Sequence, residues 1–138
     1  MDGVLKVMAA HELQGAEIER IQLRTFAEAA ALSHELPTNT EQAQYNIPWP
    51  LAAAAVCGTV GPEQVLPPVF DDPEIKRIAR TVVTHVDEQI QQRFPAECLG
   101  EVVVHTRDGK EYRSGLMPAR GDADCPLPRA ELVDKFVR

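Results

Sequence analysis

The sequence predicts an α+β fold, a two-layer sandwich in which helices cover one face of a mainly antiparallel sheet. Three observations support this. The patterns follow the order helix, strand, helix, helix, strand, hairpin, helix, an Asp-Gly dipeptide joins the two strands of the hairpin, and apolar stripes at helical spacing occupy both ends. At 138 residues, with 44% apolar and 25% charged residues, the chain is long enough for one domain with a core.

The first element is predicted as a helix over residues 3–13, without a capping sequence before it. Its apolar stripe consists of Val4, Leu5, Met8, Ala9 and Leu13. Gly15 ends the helical pattern, and residues 18–26 then alternate between apolar and polar side chains. This alternation predicts a half-buried strand.

Two helix starts are expected near residues 38 and 48. Thr38 and Glu41 have the spacing of a capping box, in which each side chain satisfies a backbone amide at the helix start. The regular helix is predicted to begin near Pro48 and to end at Gly58. It is apolar on every side, which indicates a buried helix.

A third helix start lies at Asp72-Pro73, where an N-cap residue precedes a proline at the first helical position. Residues 81–86 follow as a strand because they are dense in β-branched side chains. Residues 101–107 and 110–116 form a predicted hairpin, closed by Asp108-Gly109 in a type I′ turn.

The chain closes with an irregular segment over residues 118–128 and a helix whose stripe is Leu132, Val133 and Phe136. The stripes of the first and last helices are expected to belong to a neighbouring body, in this chain or another. The predicted division is therefore 1–14 as the end of a helical domain, 15–118 as an α+β lid-like domain, and 119–138 as a return segment toward the helical domain.

The charge balance argues against a nucleic-acid or anionic-membrane partner. Lys and Arg total 14 against 21 Asp and Glu, a net charge of −7, whereas phosphate binding needs a basic face. No apolar run approaches the roughly 20 residues that span a bilayer. The three cysteines are dispersed and lack metal-ligand spacing, so no disulfide framework, no metal site and a reducing cytoplasmic setting are expected.

Several segments, taken together and in order, resemble the MmgE/PrpD family. The N-terminal residues 1–5 are similar to the end of that family's H-P-A-I-D-A-V-L helix, residues 40–52 to A-Q-F-S-I-P-Y-A-L-A, and residues 119–127 to R-G-D-P-x-N-P-L-S. Residues 18–21, 72–75, 94–96, the Asp108-Gly109 hairpin and residues 131–136 extend the resemblance over nearly the whole chain.

This resemblance implies a two-part enzyme with a large helical domain, a smaller α+β lid and an active site between them. Family reactions include dehydration of 2-methylcitrate, decarboxylation of cis-aconitate and epimerisation of iminodisuccinate, without an iron–sulfur cluster, so no cofactor is expected. The partners implied are a small carboxylic-acid substrate, the helical domain in cis or in trans, and a second copy in a homodimer. Most catalytic histidines, lysines and acids of the family precede the position of Met1.

The candidate substrate-binding residues are Tyr45, Asn46, Trp49 and Arg120. The first three surround a helix N-terminus, where backbone amides favour a carboxylate, and the alternative is that they cap and pack the helix. Trp49 occupies the family position of an active-site tyrosine, and Asn46 that of a serine, so a proton-donor role does not carry over to Trp49. Arg120 is a candidate carboxylate clamp, or else an ion-pair partner of Asp122 or Asp124.

No catalytic residue is assigned from the sequence. His85 and His105 fall in predicted strands, where a ring nitrogen bonded to a neighbour is commoner than catalysis. Nucleophile-elbow, phosphate-loop and zincin motifs are absent from the sequence. The leading functional hypothesis is therefore the C-terminal lid portion of an MmgE/PrpD-type lyase, inactive on its own. The competing hypothesis is a non-catalytic binding or assembly module that keeps the lid fold.

Overall fold

The computed structural model describes residues 1–123 and 125–137. Helices and strands are both present, and their order begins with a helix and a strand and ends with a helix, as the sequence pattern indicates. In chain order the elements are α1 Asp2–His11, β1 Ile18–Thr25, α2 Ala27–Ala30, α3 Thr40–Gln44, α4 Pro48–Cys57, α5 Pro73–Ala79, β2 Val82–Val86, α6 Glu88–Gln91, β3 Leu99–Thr106, β4 Glu111–Arg113, β5 Met117–Pro118 and α7 Arg129–Val137.

The described residues form an open sheet with the strand order β2-β1-β3-β4, and β5 pairs with the start of β3. Helices α1, α4 and α5 lie against one face, so the α+β sandwich is confirmed. The sheet is mainly antiparallel, as predicted, and contains one parallel pair, β1 and β2, with Ile21 opposite Val82. Parallel neighbours need a crossover, and the helical segment between these two strands provides it.

Alternation along the strands separates an apolar face from a polar one. Ile21 and Val104 face each other on the covered side, whereas Arg24 and Glu101 are paired on the open side. The core combines the covered face with the apolar helix α4. Its largest fully buried side chains include Trp49, Ile18, Ile21, Ile75, Ile78, Val4 and Val7.

The helix signals at Gly58 and Asp72 are confirmed. Gly58 ends α4 in the left-handed region with φ 68°, and the Asp72 carboxylate accepts hydrogen bonds from the Glu74 and Ile75 amides. The predicted capping box is shifted by one residue. Asn39 is the N-cap of α3, and its side chain accepts from the Gln42 amide at 2.9 Å. The Gln42 side chain in turn accepts from the Thr38 amide at 2.8 Å.

The terminal helices differ in how the fold covers their apolar stripes. Val4, Val7 and Met8 of α1 are buried against the rest of the chain. A Cβ atom on Gly3 would lie 3.1 Å from the Ser114 hydroxyl and from a Val102 methyl, so α1 approaches the sheet closely. By contrast, every described side chain of α7 is exposed. The division of the chain at residues 14 and 118 stays a prediction.

The hairpin between β3 and β4 is confirmed, but its turn is not type I′. Asp108 has negative φ, and only Gly109 takes the left-handed region, at φ 82°. The Gly109 amide donates to the Thr106 carbonyl and the Thr106 amide to the Lys110 carbonyl, as in a type I turn followed by a glycine bulge. Within this turn, the Asp108 carboxylate accepts a hydrogen bond from the Thr106 hydroxyl at 2.6 Å and forms an ion pair with Lys110 at 2.7 Å.

These contacts predict a pH dependence of stability. The Lys110 ammonium and the Thr106 hydroxyl lower the pKa of Asp108 from 3.8 to about 2. A pKa that is lower in the folded state gives a stabilisation present above the unfolded-state pKa, which disappears as the pH falls toward the folded-state pKa. We expect Asp108→Asn to lose less stability than the unmodified chain between about pH 4 and pH 2. Urea midpoints against pH measure this, and parallel curves would contradict it.

Candidate functional site

The junction between α3 and α4 contains three of the four predicted site residues. Asn46 lies between the helices and is 3% exposed. Its side-chain oxygen accepts a hydrogen bond from the Trp49 amide at 2.7 Å, and its side-chain nitrogen donates to the Glu35 carbonyl at 2.7 Å. Pro48 and Pro50 occupy the first turn of α4, where an amide proton is not needed. The Asn46 side chain therefore caps α4 and also joins the preceding loop to it.

Trp49 is 0% exposed and belongs to the core. Its indole nitrogen donates to the Gln64 carbonyl at 2.8 Å, and its ring meets Phe70 edge-on at a centroid distance of 5.6 Å. A buried indole usually needs such an acceptor, and the 3-10 turn Pro62–Val65 provides it. In this conformation Trp49 offers neither a polar atom nor an open ring face to a ligand.

Tyr45 differs from its two neighbours because its side chain is 65% exposed. Its carbonyl accepts from the Ser33 amide at 3.2 Å, and the Ile47 amide donates to the Ser33 carbonyl at 3.0 Å. These two bonds to Ser33 flank Asn46, and the Tyr45 amide itself donates to the Glu41 carbonyl at 3.1 Å. The backbone of Tyr45 is thus hydrogen-bonded through both its amide and its carbonyl. The ring and its hydroxyl project from a fixed segment and are available for an external contact.

Arg120, the fourth predicted site residue, contacts other parts of the chain than the α3–α4 junction. Its guanidinium pairs with Glu131 of α7, and its backbone amide donates to the Asp2 carboxylate at 3.3 Å. Arg120 was predicted to pair with Asp122 or Asp124, and its partner in the structure is Glu131. Asp124 lies outside the described residues. Both Arg120 and Glu131 are partly exposed. Within the described part of the chain, no hydrogen bond or ion pair joins Arg120 to α3 or α4.

A second region, not predicted from the sequence, lies beside α6. Two cavities of about 330 and 610 Å³ share Arg93 and Leu116 in their walls. Arg24 lines the smaller one, where its guanidinium pairs with Asp87 and, at 2.5 Å, with Glu101. Hydrogen bonds from Arg24 and from the Ile90 amide hold the pKa of Asp87 below its usual value.

The charges of this second region do not favour a polyanionic ligand. Four acids line the two cavities, namely Asp87, Glu97, Glu101 and Asp122, against the two arginines Arg24 and Arg93. Both arginines are already paired with carboxylates of the same chain. The alternation over residues 18–26 places Arg24 on the polar face of β1, whereas its pairing with Glu101 across β1 and β3 depends on register.

The two strand histidines differ in their surroundings. His105 is buried, with Nε2 2.8 Å from the Gln22 side-chain oxygen and Nδ1 3.2 Å from Glu111, as expected for a strand histidine bonded to its neighbours. His85 is exposed. No group of three or more His, Cys, Asp or Glu residues in the described ranges is arranged to hold a metal ion. Likewise, no helix in those ranges has the length and apolar character needed to cross a bilayer.

Comparison with known proteins identifies the family of this chain. The model of the MmgE/PrpD C-terminal domain matches residues 1–138, the full length of the chain. The comparison with curated proteins found no match. The sequence resemblance based on residues 1–5, 40–52 and 119–127 is thereby confirmed. The chain belongs to the MmgE/PrpD family and corresponds to its C-terminal domain.

Proposed function

We propose that this chain is the lid portion of an MmgE/PrpD-type lyase that acts on a small di- or tricarboxylic acid, as a 2-methylcitrate dehydratase does. Family membership supports the reaction class, and the exposed apolar face of α7 carries the structural argument. The chain works with a helical domain, in cis or in trans, and is inactive alone. We further propose a cytoplasmic homodimer that needs no cofactor.

The face of α7 is the observation on which this proposal depends. Leu132, Val133 and Val137 are at least two-fifths exposed, and Phe136 is 89% exposed. Isolated helices of nine residues are marginal in water, and stable helices owe most of their stability to a packed apolar face. A helical body that covers Phe136 and Leu132 would stabilise α7 by roughly 1.5–3 kcal/mol per side chain.

The chemistry of the reaction also supports a site to which two domains contribute different groups. Removing a proton beside a carboxylate requires a positioned acid or base, together with cations that hold the polyanion. Of Tyr45, Asn46 and Trp49, only Tyr45 is exposed, and its phenol can donate a hydrogen bond. The lid would then contribute contacts to the substrate, while the acid–base groups come from the helical domain.

A stand-alone binding or assembly module is the second candidate. It is favoured by the internal use of three predicted site groups, since Asn46, Trp49 and Arg120 all bond to other residues of the chain. The two candidates differ in whether a helical domain restores turnover.

The test compares the chain alone with the chain combined with an MmgE/PrpD helical domain, with 2-methylcitrate and cis-aconitate as substrates. We expect turnover only in the combination. We also expect Phe136→Asp to weaken the association about tenfold or more, since a well-packed aromatic anchor contributes over 1 kcal/mol. Leu66→Ser is the matched control, because Leu66 is exposed but lies outside α7. Turnover by the chain alone, or no turnover in the combination, would contradict the proposal.

A further inference from the structure

We infer that Asn46 is a positioning residue that fixes residues 33–47 on the start of α4, so that Tyr45 is the side chain of this junction that meets the ligand. This assigns different roles to three residues that the sequence groups together. The role of Tyr45 toward a carboxylic acid rests on the proposed function. The role of Asn46 does not: its side chain connects Glu35 to Trp49, and we call this connection the Asn46 clamp.

The two partners of Asn46 determine how its carboxamide is oriented. The Glu35 carbonyl can only accept a hydrogen bond, and the Trp49 amide can only donate one. The nitrogen of Asn46 must therefore face Glu35 and its oxygen must face Trp49, each at 2.7 Å. With 3% exposure, the side chain has no polar edge left for a ligand.

The clamp acts on the backbone that carries Tyr45. The segment pairs with Ser33 through the Tyr45 carbonyl and the Ile47 amide, which makes a short parallel bridge between Ser33 and Asn46. The Asn46 side chain adds a third connection, from the same loop to α4. Tyr45 is thus an exposed ring on a backbone held on both sides, and such pre-organisation lowers the entropy lost when a ligand is bound.

The first experiment uses the chain itself and its single tryptophan, which lies at the clamp. We expect Asn46→Ala to increase acrylamide quenching of Trp49 fluorescence and to speed amide hydrogen exchange over residues 33–49, with β1 and β3 still protected. Asn46→Ser keeps an acceptor for the Trp49 amide and loses the reach to Glu35, so faster exchange should be confined to residues 33–45.

Asn39→Ala is the matched control. Asn39 caps α3 through the Gln42 amide and has no bond to α4, so its loss should speed exchange in α3 and leave Trp49 quenching unchanged. Unchanged quenching and unchanged exchange over residues 33–49 in Asn46→Ala would overturn the inference.

The second experiment tests how Asn46 acts, with the chain and an MmgE/PrpD helical domain combined. We expect Asn46→Ser to raise KM about fivefold and to change kcat less than about twofold. In a Tyr45→Ala background the same substitution should cause no further change in KM, because the effects of residues that act through one another are not additive. An equal rise in KM in both backgrounds would mean that Asn46 contacts the substrate itself, which overturns the inference. If no variant or parent combination turns over substrate, the proposed function fails, while the first experiment still decides the clamp.

Discussion

Replacing Trp49 by alanine is expected to lower the free energy of unfolding by about 3–5 kcal/mol, the usual cost of removing a large aromatic side chain from a core. The ring is fully buried against Phe70, and its nitrogen satisfies the Gln64 carbonyl. The substitution would therefore leave a cavity and a carbonyl without its partner. Urea unfolding followed by far-ultraviolet circular dichroism measures the loss without depending on tryptophan fluorescence.

Tyr45→Ala is the control for this prediction, since Tyr45 is also aromatic and lies four residues away but is mostly exposed. Its effect on the free energy of unfolding should stay within about 0.5 kcal/mol. The placement of Trp49 in the core would be contradicted if both substitutions cost the same, or if Tyr45→Ala cost more.

Local sequence signals predicted much of the fold. Asp72-Pro73, Gly58 and Asp108-Gly109 each act within a few residues, and each begins, ends or connects an element where the sequence indicated. The period of the side chains also separated the two faces of β1. Such signals are reliable because capping, turn formation and alternation depend on neighbouring atoms.

Features that depend on distant contacts were not predictable in the same way. The parallel pairing of β1 with β2 follows from the crossover, and the pairing of Arg24 with Asp87 and Glu101 follows from the resulting register. Even the local N-cap signal before α3 was ambiguous, because Thr38 and Asn39 are both good N-cap residues. In the structure Asn39 is the N-cap.

The candidate site shows the same limit. Residues Tyr45, Asn46 and Trp49 could be located at a helix start from their sequence, but not sorted by exposure. The 3-10 turn at residues 62–65 and the loop at residues 33–35 bury Trp49 and Asn46, and both contacts are distant in the chain or irregular in conformation. Similarly, no local pattern indicated the ion pair between Arg120 and Glu131, which spans the irregular segment before α7.

Deleting residues 1–13 is expected to abolish cooperative unfolding. Val4, Val7 and Met8 are buried in the main core, and the loss of roughly 1.5–3 kcal/mol for each side chain approaches the total stability of a typical domain. The deletion would also uncover Val102, because α1 lies so close to it that a Cβ atom on Gly3 would be 3.1 Å from a Val102 methyl. Thermal unfolding followed by near-ultraviolet circular dichroism should show no sharp transition in the deleted chain.

Deleting residues 128–138 should have little effect by the same measurement, although the two terminal helices carry similar apolar stripes. The described side chains of α7 are all exposed. One contact of α7 with the preceding segment, the Arg120–Glu131 ion pair, is partly exposed and contributes about 0.2–1 kcal/mol. The deletion should instead prevent association with a helical domain, since it removes Phe136. A sharp transition without residues 1–13, or its loss without residues 128–138, would mean that the stripe of α1 rather than that of α7 awaits a partner.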